Sequence, residues 1–474
     1  MKRSSVHRPA GRRRGLALVG VVALVSLACT RQANSPPALE GLNVLLVVLD
    51  TVGAEHVGFE NPALHHTPNL DRLASEGVAF RRAYSPAPWT QPAVASLLTS
   101  QMPSTHGLIS LFGVLDNEQW TLAELLRERG FETAGFISHR LLGARYGFAQ
   151  GFDHYDEENI GGHRDITGAT LTDAVIDWLD HRHGPAPFFV LAHYFDAHAV
   201  YHHHPEHDLT SGYEGLLRPG MDIWELRNKR SSLTAADVGY LVGLYDEEIA
   251  YTDFHVGRLL DHLRRLGLDE TTLVIVVGDH GEEFMRHGWI GHTRTLYDEL
   301  LHVPLVFRLP GVLAPREVDT PVSLIDVVPT VLALGDRPPT GVMWEGLSLW
   351  PLLDSEAQPG DAAAFERDLY AEVSFAPEFD RPRHLLEKAA YKTALRRGPL
   401  KLIHDLSSDR YELYDVSVDR EELADLAGRD PEGSALRSRL LEWEATRRSE
   451  AAASSALSPS EQDLEQLRSL GYVE

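Results

Sequence analysis

The chain has 474 residues, of which 43% are hydrophobic and 24% charged. These are ordinary globular values that argue against disorder and leave room for about two to four domains, or fewer around one large sheet. The formal net charge is -25 at pH 7, so the surface repels nucleic-acid phosphate and a DNA or RNA partner is disfavoured. An anionic substrate would have to be drawn in by a local feature such as a metal ion.

In chain order, the first segment is a leader. Lys2, Arg3, Arg8, Arg12, Arg13 and Arg14 precede an apolar run from Gly15 to Ala28, too short and too early for a spanning helix of the mature fold. The run ends in Ser26-Leu27-Ala28-Cys29, which resembles a bacterial lipobox with Ser in place of the more usual Leu; Cys29 is the single cysteine and has no internal disulfide partner. Arg12-Arg13-Arg14 faintly resembles a twin-arginine signal. The expectation is a signal peptide over 1–28, lipidation at Cys29, and a tether over 29–41 that carries Pro36-Pro37. The protein would be exported to a bacterial cell envelope, periplasm or outer membrane, and held at the membrane by a lipid anchor. An ordinary signal peptide cut nearby and an uncleaved anchor are the alternatives.

Asn43–Leu49 is a continuous apolar run ending on Asp50, and Leu273–Gly278 is another ending on Asp279-His280. Such runs fit strands buried on both faces of a parallel sheet, and the carboxyl ends of those strands are where ligands are handled. Between them, Thr67–Gly77 reads as a helix with Thr67 as cap, Pro68 in the first turn and Gly77 as stop. Ala83–Pro92 carries three prolines and reads as loop, and Ala93–Thr99 resumes as helix directly behind Thr90. A hydroxyl is thereby placed at a helix N-terminus, where N–H groups and the dipole favour an anion; Thr90 as a plain N-cap is the simpler alternative. Thr121–Gly130 suits a helix and Thr133–Ser138 a strand. Phe188–Phe195 suits a strand ending on Asp196-Ala197-His198, and Ala235–Leu266 a long amphipathic helix with Leu260 and Leu263 on one face. This alternation argues a doubly wound α/β domain. After a Pro/Gly-rich connector at Gly335–Gly346, strand-like pieces at Tyr391–Arg396, Leu400–His404 and Tyr411–Tyr414 suggest a small antiparallel subdomain. Ala435–Arg448 and Ser458–Leu470 read as helical and polar.

Several of these pieces together resemble the sulfatase family of the alkaline phosphatase superfamily. They are Leu49-Asp50-Thr51, Thr67–Leu73, Trp89-Thr90-Gln91-Pro92 with Ser96–Thr99, Asp196-Ala197-His198, Gly278–Glu282, Gly291-His292, Leu296-Tyr297 through Val303-Pro304, Lys401-Leu402-Ile403 and Glu412–Asp415, in the family's order. The resemblance implies an alkaline phosphatase-like α/β fold: a large mixed, mostly parallel sheet flanked by helices, with a smaller C-terminal α+β subdomain. The corresponding boundaries are 42–346 for the catalytic domain, 347–430 for the subdomain with its small antiparallel sheet, and 431–474 for a helical polar tail. It also implies a metal-dependent ester hydrolase acting on a small anionic ester. Asp50, Asp279, His280 and Thr90 match the metal positions, and Thr90 is also the nucleophile. His198 and His292 match catalytic positions that handle the substrate or the leaving group, while Asp196 and His139 fall in substrate-contact regions.

Three departures matter. Sulfatases carry a Cys or Ser that is oxidised to formylglycine within a Cys/Ser-x-Pro-Ser/Ala-Arg signature; this chain has Thr90-Gln91-Pro92-Ala93-Val94, and threonine is not a substrate for that oxidation. The paired acid after the first strand is Asp50-Thr51, and the usual acid–amide pair is Asp279-His280. Nitrogen ligation shifts preference from calcium toward zinc or manganese, with calcium and magnesium remaining open. Together these changes lean toward phosphate ester or phosphodiester cleavage through Thr90. A sulfuric ester hydrolase working without formylglycine, a phospho-group transferase and a non-catalytic envelope binding protein are the other readings. Asp196, His198 and His292 could chemically form a second zinc site, but two-metal relatives usually place the first histidine one helical turn after the acid, where this chain has Val200, so one metal is expected. His202-His203-His204 reads as an exposed loop, with a pocket rim as the alternative, and His287 is open between a site role and a supporting one.

Overall fold

Seven residues, Asn43–Leu49, form strand β1 with every residue buried, which is what a run of Val and Leu with no alternation requires. The computed structural model describes residues 41–161, 166–334, 344–354, 365–375, 390–428, 431–450 and 455–472. The leader, Cys29 and nearly all of the tether lie outside them.

In chain order the principal strands are β1, β2 (Val78–Phe80), β3 (Glu132–Ile137), β4 (His154–Asp156), β5 (Phe188–Tyr194), β6 (Thr272–Gly278), β7 (Leu305–Arg308) and β8 (Arg316–Val318). They make one eight-stranded sheet in the order β8-β2-β7-β6-β1-β5-β3-β4. Strands β6, β1, β5, β3 and β4 run parallel, and β7 is antiparallel to both neighbours. The sheet is thus mixed and mostly parallel, with a separate core cluster on each face. One contains Leu46, Leu97, Leu191 and Ile275; the other contains Leu45, Leu171, Val190 and Leu260.

The helices used below are α1 (Pro68–Glu76), α2 (Thr90–Thr99), α3 (Gly168–His181), α4 (Ile223–Lys229), α5 (Ala235–Arg265), α6 (Pro431–Glu450) and α7 (Glu461–Ser469). Two differ from expectation at their starts. Thr67 occupies the N-cap position of α1 without a capping hydrogen bond; its hydroxyl accepts from Gly58 N at 2.8 Å and donates to Asp71 at 3.1 Å instead. Trp89, not Thr90, is the N-cap of α2, and Thr90 is its first helical residue. In α5 the expected stripe holds, with Leu259, Leu260 and Leu263 all buried. No described helix is long and apolar enough to cross a membrane.

A second sheet, antiparallel and four-stranded, runs β9 (Leu369–Phe375), β10 (Ala390–Arg397), β11 (Leu400–Asp405) and β12 (Arg410–Asp415). The last three were legible; β9 was not assigned from the sequence, although its residues alternate buried and half-buried. Asp298 joins this sheet to the large one: it pairs with Arg396 of β10 and with Lys401 of β11, the latter at 2.6 Å. Lys401 also reaches Glu422 at 2.7 Å. The end of the described chain is less polar than it reads, because Leu467, Leu470 and Tyr472 are buried.

Candidate functional site

Strand register builds the site. Leu49 of β1 pairs with Gly278 of β6, so the residues that follow, Asp50 and Asp279, leave adjacent parallel strands at the same level. Adjacent strands stand about 4.8 Å apart, which brings the two carboxylates within reach of one ion. On the other side of β1, Val48 pairs with His193 of β5, and His193 Nε2 lies 3.7 Å from Asp50 Oδ2. α2 aims its first turn at the same point. Thr90 Oγ1 lies 3.4 Å from Asp50 Oδ1 and 3.2 Å from His280 Nε2.

Asp50, Asp279 and His280 offer ligand atoms within 4.8 Å of one another. All three, and Thr90, are buried. Asp279 Oδ1 accepts from the backbone N–H groups of Thr51 at 3.0 Å and His280 at 2.8 Å. Asp279 Oδ2 and Asp50 Oδ2 have no hydrogen-bond partner. Burial, then the neighbouring Asp279 and Glu282, pushes the Asp50 carboxyl well above its ordinary range. Burial likewise pushes Asp279 up to about 8. Two buried acids that oppose each other's ionisation and keep unpaired oxygens need a cation. His280 accommodates one: burial pushes its imidazole down to about 4, and Nδ1 faces the Gly281 carbonyl at 2.9 Å, so Nε2 carries the lone pair toward the acids. The residues therefore fit a divalent metal with oxygen and nitrogen donors. Thr51, where a second acid was expected, contributes its backbone to Asp279 from a left-handed conformation (φ +56°).

The two histidines expected to be catalytic, His198 and His292, lie next to this group. The His292 ring centre is 4.7 Å from that of His280 and 4.9 Å from that of His198. His292 Nδ1 faces Glu282 Oε1 at 2.9 Å, and Glu282 Oε2 accepts from the Tyr201 hydroxyl at 2.9 Å. The imidazole is thus held as an Nδ1–H tautomer whose Nε2 points into the site. His139 joins through ring contacts, 5.5 Å from His198 and 6.3 Å from His193. Asp196 is not brought to Thr90. Its Oδ1 accepts from Thr167 N at 2.5 Å, and a Cβ on Gly168, the first residue of α3, would sit 2.7 Å from its Oδ2.

The three-histidine run is less exposed than its composition suggests. His203 faces Glu247 at 2.8 Å, and His204 is buried against Glu248 at 2.6 Å. His287 pairs with Glu299 at 2.6 Å and stacks on Tyr297, a packing role apart from the histidine cluster.

Sequence reasoning missed three site residues. Glu282 was quoted in a motif without a role, and His193 was read only as part of a strand, although an imidazole in the middle of a buried apolar run was itself a signal. The third, Tyr472, gave no local signal. Its hydroxyl lies 3.2 Å from His292 Nε2. Its ring stands 6.2 Å from Trp89 and 5.5 Å from His292.

The family model described as Sulfatase matches residues 42–336, and that described as N-sulphoglucosamine sulphohydrolase, C-terminal, matches residues 285–447. Among curated proteins, the chain is 23% identical over 460 residues to an N-acetylglucosamine-6-O-sulfatase of Bacteroides thetaiotaomicron, covering 78% of this chain and 80% of that one. It is 28% identical over 385 residues to human arylsulfatase A, covering 70% of each. Among solved structures, one in complex with its substrate D-glucosamine-2-N,6-O-disulfate superposes with a TM-score of 0.70 at 21% identity, over 86% of this chain and 98% of that one. A phosphonate monoester hydrolase of Agrobacterium radiobacter superposes with a TM-score of 0.69, also at 21% identity, over 87% and 96%.

Proposed function

Because the chain belongs to the sulfatase family, whose members and neighbours hydrolyse sulfate or phosphonate esters, we propose that it is a metal-dependent hydrolase of a small anionic ester, with Thr90 as an unmodified nucleophile. The observation that carries this is the convergence of the Thr90 hydroxyl with Asp50 and His280 at 3.4 and 3.2 Å. Family membership favours a sulfuric ester. The lean toward phosphate drawn from the sequence thus becomes the second reading, supported by Thr90 and His280 themselves. An ester formed on a plain hydroxyl is cleared by attack at sulfur or phosphorus, which is routine for phosphorus and harder for sulfate.

A bound divalent cation lowers the pKa of a coordinated hydroxyl and neutralises a non-bridging oxygen of the ester. Asp50, Asp279, His280 and Thr90 would hold it; zinc or manganese suits the His280 nitrogen better than calcium. The chain's own groups do the rest. Thr90 Oγ1 forms the new bond to sulfur or phosphorus as the bond to the leaving oxygen breaks. His292, oriented by Glu282, and His198 handle the proton at that oxygen. Water then cleaves the ester on Thr90.

The test is a side-by-side assay of an aryl sulfate, a phosphate monoester, a phosphodiester and a phosphonate monoester with defined metals. At least one is turned over, chelation abolishes turnover, and Thr90→Ala lowers it by about a thousandfold or more. Full activity in Thr90→Ala would remove Thr90 from the chemistry. We place the mature protein in the cell envelope, with Cys29 as lipid anchor; incorporation of labelled palmitate in the wild type but not in Cys29→Ala tests that assignment.

A further inference from the structure

Thr90 can be approached from few directions. Asp50 and His280 stand on one side of its hydroxyl, and both belong to the group that would hold the metal. A further group at this end of the site is the Tyr472 phenol, whose hydroxyl sits 3.2 Å from His292 Nε2 and whose ring stands 6.2 Å from that of Trp89, the residue before Thr90. Since His292 Nδ1 is engaged with Glu282, Nε2 holds the lone pair and the phenol donates to it. That nitrogen is the one a leaving oxygen would engage.

Sulfur or phosphorus must come within about 3.5 Å of the nucleophile to react. Thr90 has 0% exposure, His198 1%, His292 3% and Tyr472 3%. With the phenol on His292 Nε2, the leaving oxygen of an ester in front of Thr90 has no access to that nitrogen. The phenol ring is itself held by rings, 6.2 Å from Trp89 and Phe375.

The apolar attachments of this segment are Leu467, Leu470 and Tyr472, which are buried in the core cluster on one face of the large sheet, with Leu464 packed against it. The rest are polar links. Asp463 lies 2.6 Å from Arg140 and 2.7 Å from Arg145. Arg227 donates to the Gly471 carbonyl at 2.7 Å and Trp224 to the Arg468 carbonyl at 2.9 Å. Gly471, at φ +76°, turns the chain from α7 toward the site; a Cβ there would meet Ile223 at 2.6 Å.

We infer that Ser460–Tyr472 is a displaceable cap whose Tyr472 hydroxyl occupies the position of the substrate's ester group, so that cap closure and substrate binding exclude each other. The inference rests on the reading of Thr90 and its neighbours as the substrate site. It makes the cap a determinant of affinity: any change that loosens the segment raises the affinity for an anion at Thr90, and an anion at Thr90 loosens the segment to the same extent.

The test uses the full chain loaded with manganese and inorganic phosphate as probe. Hydrogen exchange of the amides of residues 464–472 rises about tenfold at saturating phosphate, while that of β1 and β6 is unchanged. Phosphate binding with unchanged or slower exchange in that segment would overturn the cap. By calorimetry, Tyr472→Ala and Asp463→Asn, the second lying outside the site, each bind phosphate about fivefold tighter or more than the wild type. No gain in affinity in either, including no binding in any form, also overturns it. Neither readout uses turnover. A fully active Thr90→Ala would therefore overturn the catalytic reading alone, and unmoved exchange would overturn the cap alone.

Discussion

At the scale of single residues, His280 sets the character of the proposed metal site. An amide at that position would give an all-oxygen donor set suited to calcium; the imidazole replaces one oxygen with nitrogen. His280→Asn is therefore expected to shift the metal that best supports activity from zinc or manganese toward calcium. Titrating chelated protein with each ion and ranking the recovered rates checks this, and an unchanged ranking would remove His280 from the ligand set. The proposed ligands could be picked out because Asp50 and Asp279-His280 end two apolar runs, and runs of that kind place their ends together once the strands pair in register. Glu282 and Tyr472 were not legible in the same way. Their roles depend on partners distant in the chain, His292 being separated from Tyr472 by 180 positions, and no periodicity reports such a contact.

At the scale of elements, the segment from Tyr297 to Asp298 carries the join between the two sheets. Burial alone would raise the Asp298 carboxyl, but Arg396 and Lys401 outweigh it and hold it below the usual carboxylate range. A folded-state pKa below the unfolded value of about 3.9 means that this stabilisation is fully present above about pH 5 and is lost as pH falls through 4 and below. Asp298→Asn leaves two cations without their shared partner and is expected to cost about 3 kcal/mol. Urea unfolding at pH 7 measures it, and the difference between variant and wild type shrinks as the pH is lowered below 4. A pH-independent difference would contradict the pairing.

Elements legible in the sequence were the long or strongly punctuated ones, such as β1, β6 and α5. Those missed include β2, β4, β8, α3 and α4, the strand β9, whose short stretch alternates buried residues with the half-buried Glu372 and Ser374, and the inward face of α7. In α7 only Asp463 and Leu467 are buried among nine residues. So narrow a face sits in a charged sequence that reads as solvated, and its burial is settled by where Arg140, Arg145 and Arg227 stand in the fold.

At the scale of the whole molecule, the net charge of -25 opposes the arrival of an anion, and only the local site attracts one. Raising ionic strength from about 0.01 M to 0.15 M shortens the screening length from about 30 Å to 8 Å. The value of kcat/KM for an anionic ester is therefore expected to rise with salt, while that for a neutral analogue stays flat. A fall with salt would point to a positive surface field around the entrance. The mixed, mostly parallel sheet and the family were readable because ordered motifs spanned most of the chain. The choice between sulfate and phosphate was not, since both esters present the same tetrahedral anion to the same residues.

The central claim is that an unmodified Thr90 becomes covalently esterified during turnover. Acid quenching during steady turnover of whichever ester is cleaved, followed by peptide mass mapping, tests it most directly. The account predicts the mass of one sulfuryl or phosphoryl group on Thr90 in the wild type, and its absence in Thr90→Ala together with lost activity. An unlabelled Thr90 in the wild type, with Thr90→Ala turning over substrate at the same rate, would contradict it.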